Sequence, residues 1–514
     1  MGETYDVVVV GGGAAGLSGA LALGRARRSV LVIDAGDPRN APAGHVHNYL
    51  GREGMPPAEL LAIGRSEVAQ YGVQLEVGTV TKAAATDGGF TVHLEDGRQV
   101  DARRLLVTTG LTDELPDVPG LVEGWGRDVL HCPYCHGWEV RDQALGVLGT
   151  GPFAVHQTLL FRQWTADLTL FLHTAPAPTA GEREQLDARG VTVVEGLVAS
   201  WQDGAVRMVS GEIVPRAALV VSPVFTARAA VLESLGLPSV QVDMGGRVFG
   251  TQVASDPTGL TAVPGVWVGG NVADLRAQVI GSAAAGLGAG AAINADLVAD
   301  DTHRAVERAR VLGQASWEAR YRSHSLAIWS GNPNAVLVAE LRDLPPGRAL
   351  DVGCGEGADA LWLAERGWSV TAVDISTVAL ARAAAQASTR GLNVSWVHAD
   401  LLASPPSPAA FDLVTAHFMQ LPTAERESLY AALAAAVAPG GTLLLVGHHP
   451  SDRHTTMGRP ALHEMFFTPE QLAAELDPAL WDVEVAEARP RQATDPQGRQ
   501  VTIHDAVLRA RKRD

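Results

Sequence analysis

An α/β fold with more than one doubly wound sheet is predicted, on three observations. The chain has 514 residues, too long for one ordinary core. At three places it repeats one device: a short apolar strand, a glycine-rich turn and a helix. Its composition, 46% hydrophobic and 19% charged, is that of a folded globular chain.

The first device is "YDVVVVGGGAAGLSGALALGRARRSVLVID". Gly11 permits the tight turn, Gly13 lets backbone approach a pyrophosphate, and Gly16 lets the helix pack on the strand. The helix start at Ala14 and Ala15 presents free N–H groups to phosphates. Asp34 closes the second strand, where an acid bonds ribose hydroxyls. The second device, "ALGVLGTGPFAVHQTLLFRQWTADLTLFLHT", repeats the pattern at Gly149, Gly151 and Ala154. Its second strand ends in "LFLHT", with neither an acid for a ribose diol nor an arginine cluster for a 2′-phosphate. It is either a working nicotinamide site or a retained fold with a weakened one.

The third device, "GRALDVGCGEGADALWLAERGWSVTAVDIS", differs in charge. Asp351, Gly353, Gly355 and Gly357 make an acidic turn, and Asp351 with Glu356 would repel a phosphate. Asp374 is placed for ribose hydroxyls, and Asp400, in "HAD", for an adenine amino group. Adenine, ribose and a cationic centre without phosphate describe S-adenosylmethionine. Cys354, inside this turn, reads as a packing residue.

Composition narrows the partners. A net charge of -17 argues against nucleic acid, and only the tail "RARKRD" is basic. Three cysteines are too few for a disulfide framework and fit a reducing compartment. A strand beginning at Tyr5 leaves no room for a signal peptide. The uncharged stretch from Val7 to Gly24 is interrupted by "GGG", which a membrane span would not tolerate. A cytoplasmic protein without membrane or nucleic-acid partners is expected.

"HCPYCHGWEV", residues 131 to 140, holds two of the three cysteines. Cys-x-x-Cys-His is formally a c-type haem signal, but that chemistry belongs to exported proteins. Zinc needs four ligands on one centre, and neighbours in sequence point apart, so no metal site is expected. A redox-active disulfide is the best account. A helix start and a nearby imidazolium would favour a reactive thiolate.

With these motifs in view, residues 1 to about 300 resemble the low-molecular-weight thioredoxin reductase family. The likeness rests on "GGGAAG", the "LLVTTG" strand with Thr109 and Gly110, the Cys-x-x-Cys, and "GVWVGGNVADLRAQVIGSAAAGLGAGAAINADLV". The resemblance implies a two-dinucleotide-binding-domain flavoprotein, with FAD-type and NAD(P)-type domains, that binds FAD and possibly NADPH and forms a homodimer. Asn271 stands where the family has an Asp on the flavin ribitol, and Gln278 and Val279 match positions along the isoalloxazine. Family analogy places Cys135 nearest the flavin and makes Cys132 the sulfur that exchanges with substrate. His136 replaces the usual Asp, and "CPYCHGWE" resembles the dithiol oxidases of gliotoxin, holomycin and bridged-depsipeptide pathways. A base there suits dithiol oxidation.

From about residue 313 the chain looks like a Rossmann-like class I methyltransferase. "SWEARYRSHSLAIWSGNPNAVL" resembles the cap segment of small-molecule thiol and tellurite methyltransferases. Trp329, Asn332 and His463 are candidate pocket residues, and a late helix is expected to start at Thr468-Pro469-Glu470. No cluster of substrate carboxylates or bases is evident, which suits a thiolate acceptor. The expected domains are 1–113 and 246–300 (FAD-binding), 114–245 (NAD(P)-type, with the Cys-x-x-Cys), 301–315 (linker) and 316–514 (methyltransferase). The functional expectation is a bifunctional enzyme acting on a small thiol or dithiol, with catalytic Cys132, Cys135 and His136. The alternatives are an NADPH-dependent thioredoxin reductase with an appended methyltransferase, and a redox-sensing flavin domain that regulates methyl transfer.

Overall fold

The computed structural model describes residues 4–325, 327–457 and 462–514, apart from the side chains of His454 and His463. The chain divides into two compact units, Met1–Val298 and Ala299–Asp514.

In the first unit, the apolar run Thr4–Val10 lies between Val30–Asp34 and Gln99–Val107, parallel to both. Val7, Val8 and Val9 have no exposed surface, as expected of a central strand covered on both faces. Gln74–Val77 closes one edge, Gly89–Leu94 and Val80–Thr86 the other, and Val266–Val268 also pairs with Gln99–Val107. A second, parallel sheet runs Thr192–Val194, Leu168–Phe171, Leu145–Leu148, Ala218–Val220, Val129–Leu130. A four-stranded sheet, Ser239–Met244, Arg247–Val253, Val224–Ala227 and Leu111–Glu114, lies at the crossings between the two.

One expected boundary moves. Ala227, Val231, Leu232 and Leu237 share a core with Val8, Leu31 and Leu105, so the chain rejoins the first core near Val224, not at 246. The strand Val224–Ala227 is short and hard to tell from loop in sequence, yet its pairing with Leu111–Glu114 commits it to that side.

The helix Val279–Leu312 is held against Ala14–Arg25 by glycine. A Cβ at Gly286 would lie 1.9 Å from the Ala15 carbonyl oxygen, and one at Gly290 would lie 2.7 Å from that of Gly19. The helix is long and apolar enough to span a membrane by length and composition. Ala289, Ile293 and Leu297, however, are buried in the core beneath Thr4–Val10. The segment expected as linker is largely helical, since 301–312 continue this helix and only Gly313 separates them from the helix Gln314–Arg322. Charge there supports the helix, with Arg304 paired to Asp300 one turn back.

The second unit is one sheet in the order Ser395–His398, Ser369–Asp374, Arg348–Val352, Phe411–His417, Val437–His448, Gln500–Lys512, Trp481–Thr494. The first five strands are parallel, Gln500–Lys512 runs antiparallel to them, and Trp481–Thr494, antiparallel to it, shares the direction of the first five. The basic tail is therefore a strand end, with Arg509 on Glu340 and Glu484. Strand order reverses between Arg348–Val352 and Phe411–His417, where a ligand crevice is expected. The late helix Pro469–Ala474 starts where expected, on a Thr468–Gln471 capping box.

Two helix glycines make a paired test of this packing. Gly286→Ala drives a methyl into the Ala15 carbonyl and should lower stability by about 1–3 kcal/mol. Gly288→Ala, with nothing within 4 Å of its Cβ, should raise it by up to about 1 kcal/mol. Thermal unfolding of the two variants should shift in opposite directions.

Candidate functional site

Both Gly-rich turns that open the units sit at the carboxyl ends of parallel strands, and each opens on a large cavity. In the first unit the cavity is about 1150 Å³. Gly11, Gly13, Ala14, Ala15, Asp34, Thr109, Gly110, Asn271, Gln278 and Val279 line it together with Cys132, Cys135 and His136. Gly11 has φ +103°, and a Cβ there would lie 2.7 Å from the Thr108 carbonyl. Gly13 has open space where a Cβ would be, as a backbone that a ligand approaches requires. Gly16 stands behind the turn, packed on the Gly11 carbonyl. Asp34 accepts the Gly12 N–H at 3.0 Å and pairs with Arg65 at 3.1 Å. The turn, the acid and the start of a long helix at Val279 fit an FAD.

Asn271 has a different job from the one expected. Its Nδ2 donates to the Asp274 and Ala277 carbonyls, both at 2.9 Å, and its Oδ1 accepts from Arg39 at 3.1 Å. A carboxylate could not make the first two bonds. The amide ties the turn before the long helix, and its donors are not free for a ribitol hydroxyl. Arg39 also forks onto Asp113, at 2.8 and 2.6 Å.

Cys132 precedes the short helix Pro133–His136, with Pro133 at its first position. Gly137 lets the Trp164 ring close on this turn, since a Cβ there would lie 2.8 Å from it. The two sulfurs are 2.8 Å apart, with the Cys135 thiol donating to Cys132. That bond lowers the Cys132 pKa to about 7, helped by the N–H groups of Cys135 and Tyr134 and by the Gln278 amide. Gln278 therefore reaches the exchanging sulfur. Cys135 is pushed up by the same bond and by burial, while the charge of Arg39 acts the other way.

His136 is pulled below the ordinary histidine range, chiefly by burial, and its Nδ1 is buried without a hydrogen-bond partner among the described residues. It therefore presents a neutral imidazole at neutral pH. His131 instead bonds the Val221 carbonyl at 3.0 Å, a structural role. Sequence reasoning missed the loop over this site. Asn48 donates to the Tyr134 carbonyl at 2.7 Å, and His47 pairs with Glu53 at 2.6 Å and Glu139 at 3.4 Å. The only local signal was the histidine-dense "GHVHNYLG".

Gly149 and Gly151 are not among the residues lining this cavity. The guanidinium of Arg247 lies over Gly151, 2.0 Å from where a Cβ would be, and donates to Thr150 Oγ1 at 3.2 Å. After the next strand, His173 caps Val198 N–H through its Nδ1 at 3.1 Å. As it stands, the Arg247 side chain covers the backbone that a dinucleotide's pyrophosphate would approach, and it would have to swing aside for one to bind.

The second unit's cavity is about 1420 Å³. Gly353, Gly355, Asp374 and Asp400 line it, and Gly353 and Gly355 take φ of +66° and +53°. Asp374 accepts the N–H groups of Gly355 and Ser376, each at 2.8 Å, which leaves a lone pair on each oxygen for hydroxyls. Asp400 is exposed at the rim. Asp351 departs from expectation: it is 2% exposed, lies under the turn on Thr415 at 3.2 Å, and is pushed up to about 7 by burial. It does not face the ligand. Glu356 is also engaged, pairing with Arg382 at 2.8 Å and accepting the N–H groups of Ile328 and Trp329. It fastens the cap segment. The fit to S-adenosylmethionine thus rests on Asp374, Asp400 and the glycines.

Trp329 and Asn332 line the cavity, and Trp329, 48% exposed, donates to Tyr321 Oη at 3.2 Å. The side chain of His463 lies outside the described residues. Cys354, half-buried, packs against the core and also lines the cavity, and burial pushes its thiol well up. Sequence reasoning missed His417 at the end of Phe411–His417, whose Nδ1 lies 2.7 Å from Asp359 Oδ2.

The polarised pair makes a direct prediction. A thiol lowered from 9.0 to about 7 is mostly thiolate above pH 7. Alkylation of the reduced protein by iodoacetamide should modify Cys132 first, with a rate rising through about pH 7 and level above pH 8. Gln278→Leu should move the inflection upward. An inflection near 9 in the unmodified chain would contradict the geometry.

Comparison with known proteins agrees with this architecture. The pyridine nucleotide-disulphide oxidoreductase family matches residues 5–290, and a methyltransferase domain matches residues 349–441. The probable thioredoxin reductase of Arthroderma benhamiae is 40% identical over 152 residues, 28% of this chain and 38% of that one. The match thus spans well under half of that relative. Thioredoxin reductase sirT of Leptosphaeria maculans is 28% identical over 312 residues, 56% of this chain and 93% of its own. The crystal structure of HlmI is 44% identical, with a TM-score of 0.56, covering 60% of this chain and 98% of its own. These relations imply FAD and NADPH for the first unit and S-adenosylmethionine for the second. The chain belongs to the pyridine nucleotide-disulphide oxidoreductase family, with a thioredoxin reductase-like fold in its first unit and a methyltransferase domain in its second.

Proposed function

We propose that the first unit oxidises a small dithiol to its disulfide and that the second S-methylates a small thiol. The observation that carries the first half is His136, a half-buried neutral imidazole whose Nδ1 has no partner among the described residues, in the same cavity as the Cys132–Cys135 pair. A dithiol must shed two protons as it is oxidised, and a neutral base beside the sulfurs serves that direction.

The thiol chemistry follows from the residues. With the pair oxidised, a substrate thiol gives its proton to His136 and attacks Cys132 Sγ. The Cys132–Cys135 bond breaks and Cys135 leaves as thiolate. Once Cys132 is bonded to substrate, the hydrogen bond and charge that raise Cys135 are gone, and Arg39 remains to favour its anion. After His136 passes the first proton to solvent, the second substrate thiol gives it its own proton, attacks the mixed disulfide and releases the substrate disulfide with Cys132 as thiolate. Cys132, with its pKa near 7, is the better leaving group of the pair. A bound flavin supplies the two-electron acceptor that returns the pair to its disulfide, and oxygen is the final oxidant. Arg247 over the Gly149–Gly151 turn supports oxygen rather than a nicotinamide as the flavin's partner. The same reading takes the protein as cytoplasmic and homodimeric through its first unit.

The test is anaerobic mixing of the yellow protein with NADPH or with a small dithiol such as dithiothreitol. The dithiol should bleach the flavin and NADPH should not, while Cys135→Ser should abolish bleaching. Fast bleaching by NADPH would instead support a reductase. His136→Gln should slow reduction by the dithiol about 100-fold at neutral pH. Because burial lowers the His136 pKa, its base form persists in acid, so the limb of the rate that depends on it should fall below pH 6.5.

A further inference from the structure

We infer that His417 is the general base of the second unit, accepting the thiol proton as the acceptor sulfur is methylated; this role rests on the S-methylation reading above. His417 ends the strand Phe411–His417, which pairs in parallel register with Arg348–Val352. It therefore stands beside Gly353 where strand order reverses, the place where a doubly wound sheet holds its ligand. Both residues line the cavity.

The geometry fixes its chemistry. Nδ1 lies 2.7 Å from Asp359 Oδ2, and the imidazole is 6% exposed. The carboxylate selects the tautomer with the proton on Nδ1, leaving the Nε2 lone pair free. Nε2 is buried and has no hydrogen-bond partner among the described residues. An unpaired nitrogen in a buried imidazole is unfavourable, and a ligand that hydrogen-bonds to it relieves that cost. Asp359 is held in turn by the Asn334 N–H at 2.6 Å, which couples the dyad to the cap segment.

Of the other charged groups nearby, the arginines are paired, while Asp351 feels the dyad: beyond burial, the charge of Asp359 raises its carboxyl pKa and that of His417 lowers it. Arg489 is paired with Glu340 and Arg491 with Asp505. Asp351, on the neighbouring strand, is buried beneath the turn. His448, on the other neighbouring strand, is packed between Phe418 and Phe466. In the step, the acceptor S–H bond breaks and its proton goes to Nε2. The sulfur's electron pair forms the new S–CH₃ bond, and the methyl–sulfonium bond of S-adenosylmethionine breaks to leave neutral S-adenosylhomocysteine. The proton then passes to solvent when product leaves.

The test compares the full chain with His417→Asn, using benzyl mercaptan as the thiol. Without methyl donor but with S-adenosylhomocysteine bound, the thiol should show ultraviolet thiolate absorbance at neutral pH in the wild type and none in the variant. Methyl transfer by the variant should be about 100-fold slower at neutral pH and recover as rising pH ionises the thiol in solvent. S-adenosylhomocysteine affinity should be unchanged, which a misfolded variant would not show. Equal thiolate signals or parallel pH profiles would overturn the role of His417. If the wild type methylates no thiol while methylating an amine or hydroxyl, the S-methylation reading fails and this role fails with it.

Discussion

The first unit depends on one contact, the 2.8 Å approach of the Cys135 thiol to the Cys132 sulfur. It is short because two intervening residues in one helical turn put both sulfurs on the same side. The contact makes the two cysteines unequal. One sulfur accepts from a thiol and is favoured as an anion by two nearby backbone N–H groups and the Gln278 amide, while the other is a half-buried donor. The direction of attack, the leaving group and the placement of a base all follow from that inequality. Arg39 matters because it acts on the member of the pair that must become an anion next.

Glycine supplies the scaffold for this contact and for the second cavity. In each unit a positive-φ glycine ends a buried parallel strand and frees the space beyond the sheet's carboxyl edge. The same residue type lets two helices cross backbone to backbone at Ala15 and Gly286, which sets the start of the long helix and hence Gln278. Turn and helix start come from opposite ends of the first unit's sequence, and a single crossing fixes them relative to each other.

What the sequence made legible was local. The three glycine turns, the strand runs beside them, the Cys-x-x-Cys pair and the Thr468 cap each carry their signal within a few residues. The misses are long-range or ambiguous. Asn271 looked like a weakened flavin ligand because Arg39 and the carbonyls it ties are invisible without the fold. Asp351 reads in sequence as part of an acidic turn facing a cationic ligand, and only the sheet shows it beneath the turn. His417 and Asp359 lie on a strand end and a helix start that sequence reading does not join. The segment 301–315 was read as linker because polarity alone does not separate an exposed helix from coil.

The account's central claim is that two sulfurs and a bound flavin form one electron-accepting unit. Anaerobic dithionite titration of the purified chain counts its electrons directly. Two for the flavin and two for the disulfide should give about four per bound flavin, falling to about two in Cys135→Ser. A wild-type protein that takes up only about two, with no change on removing the sulfur, would show that the cysteines do not exchange electrons with the flavin.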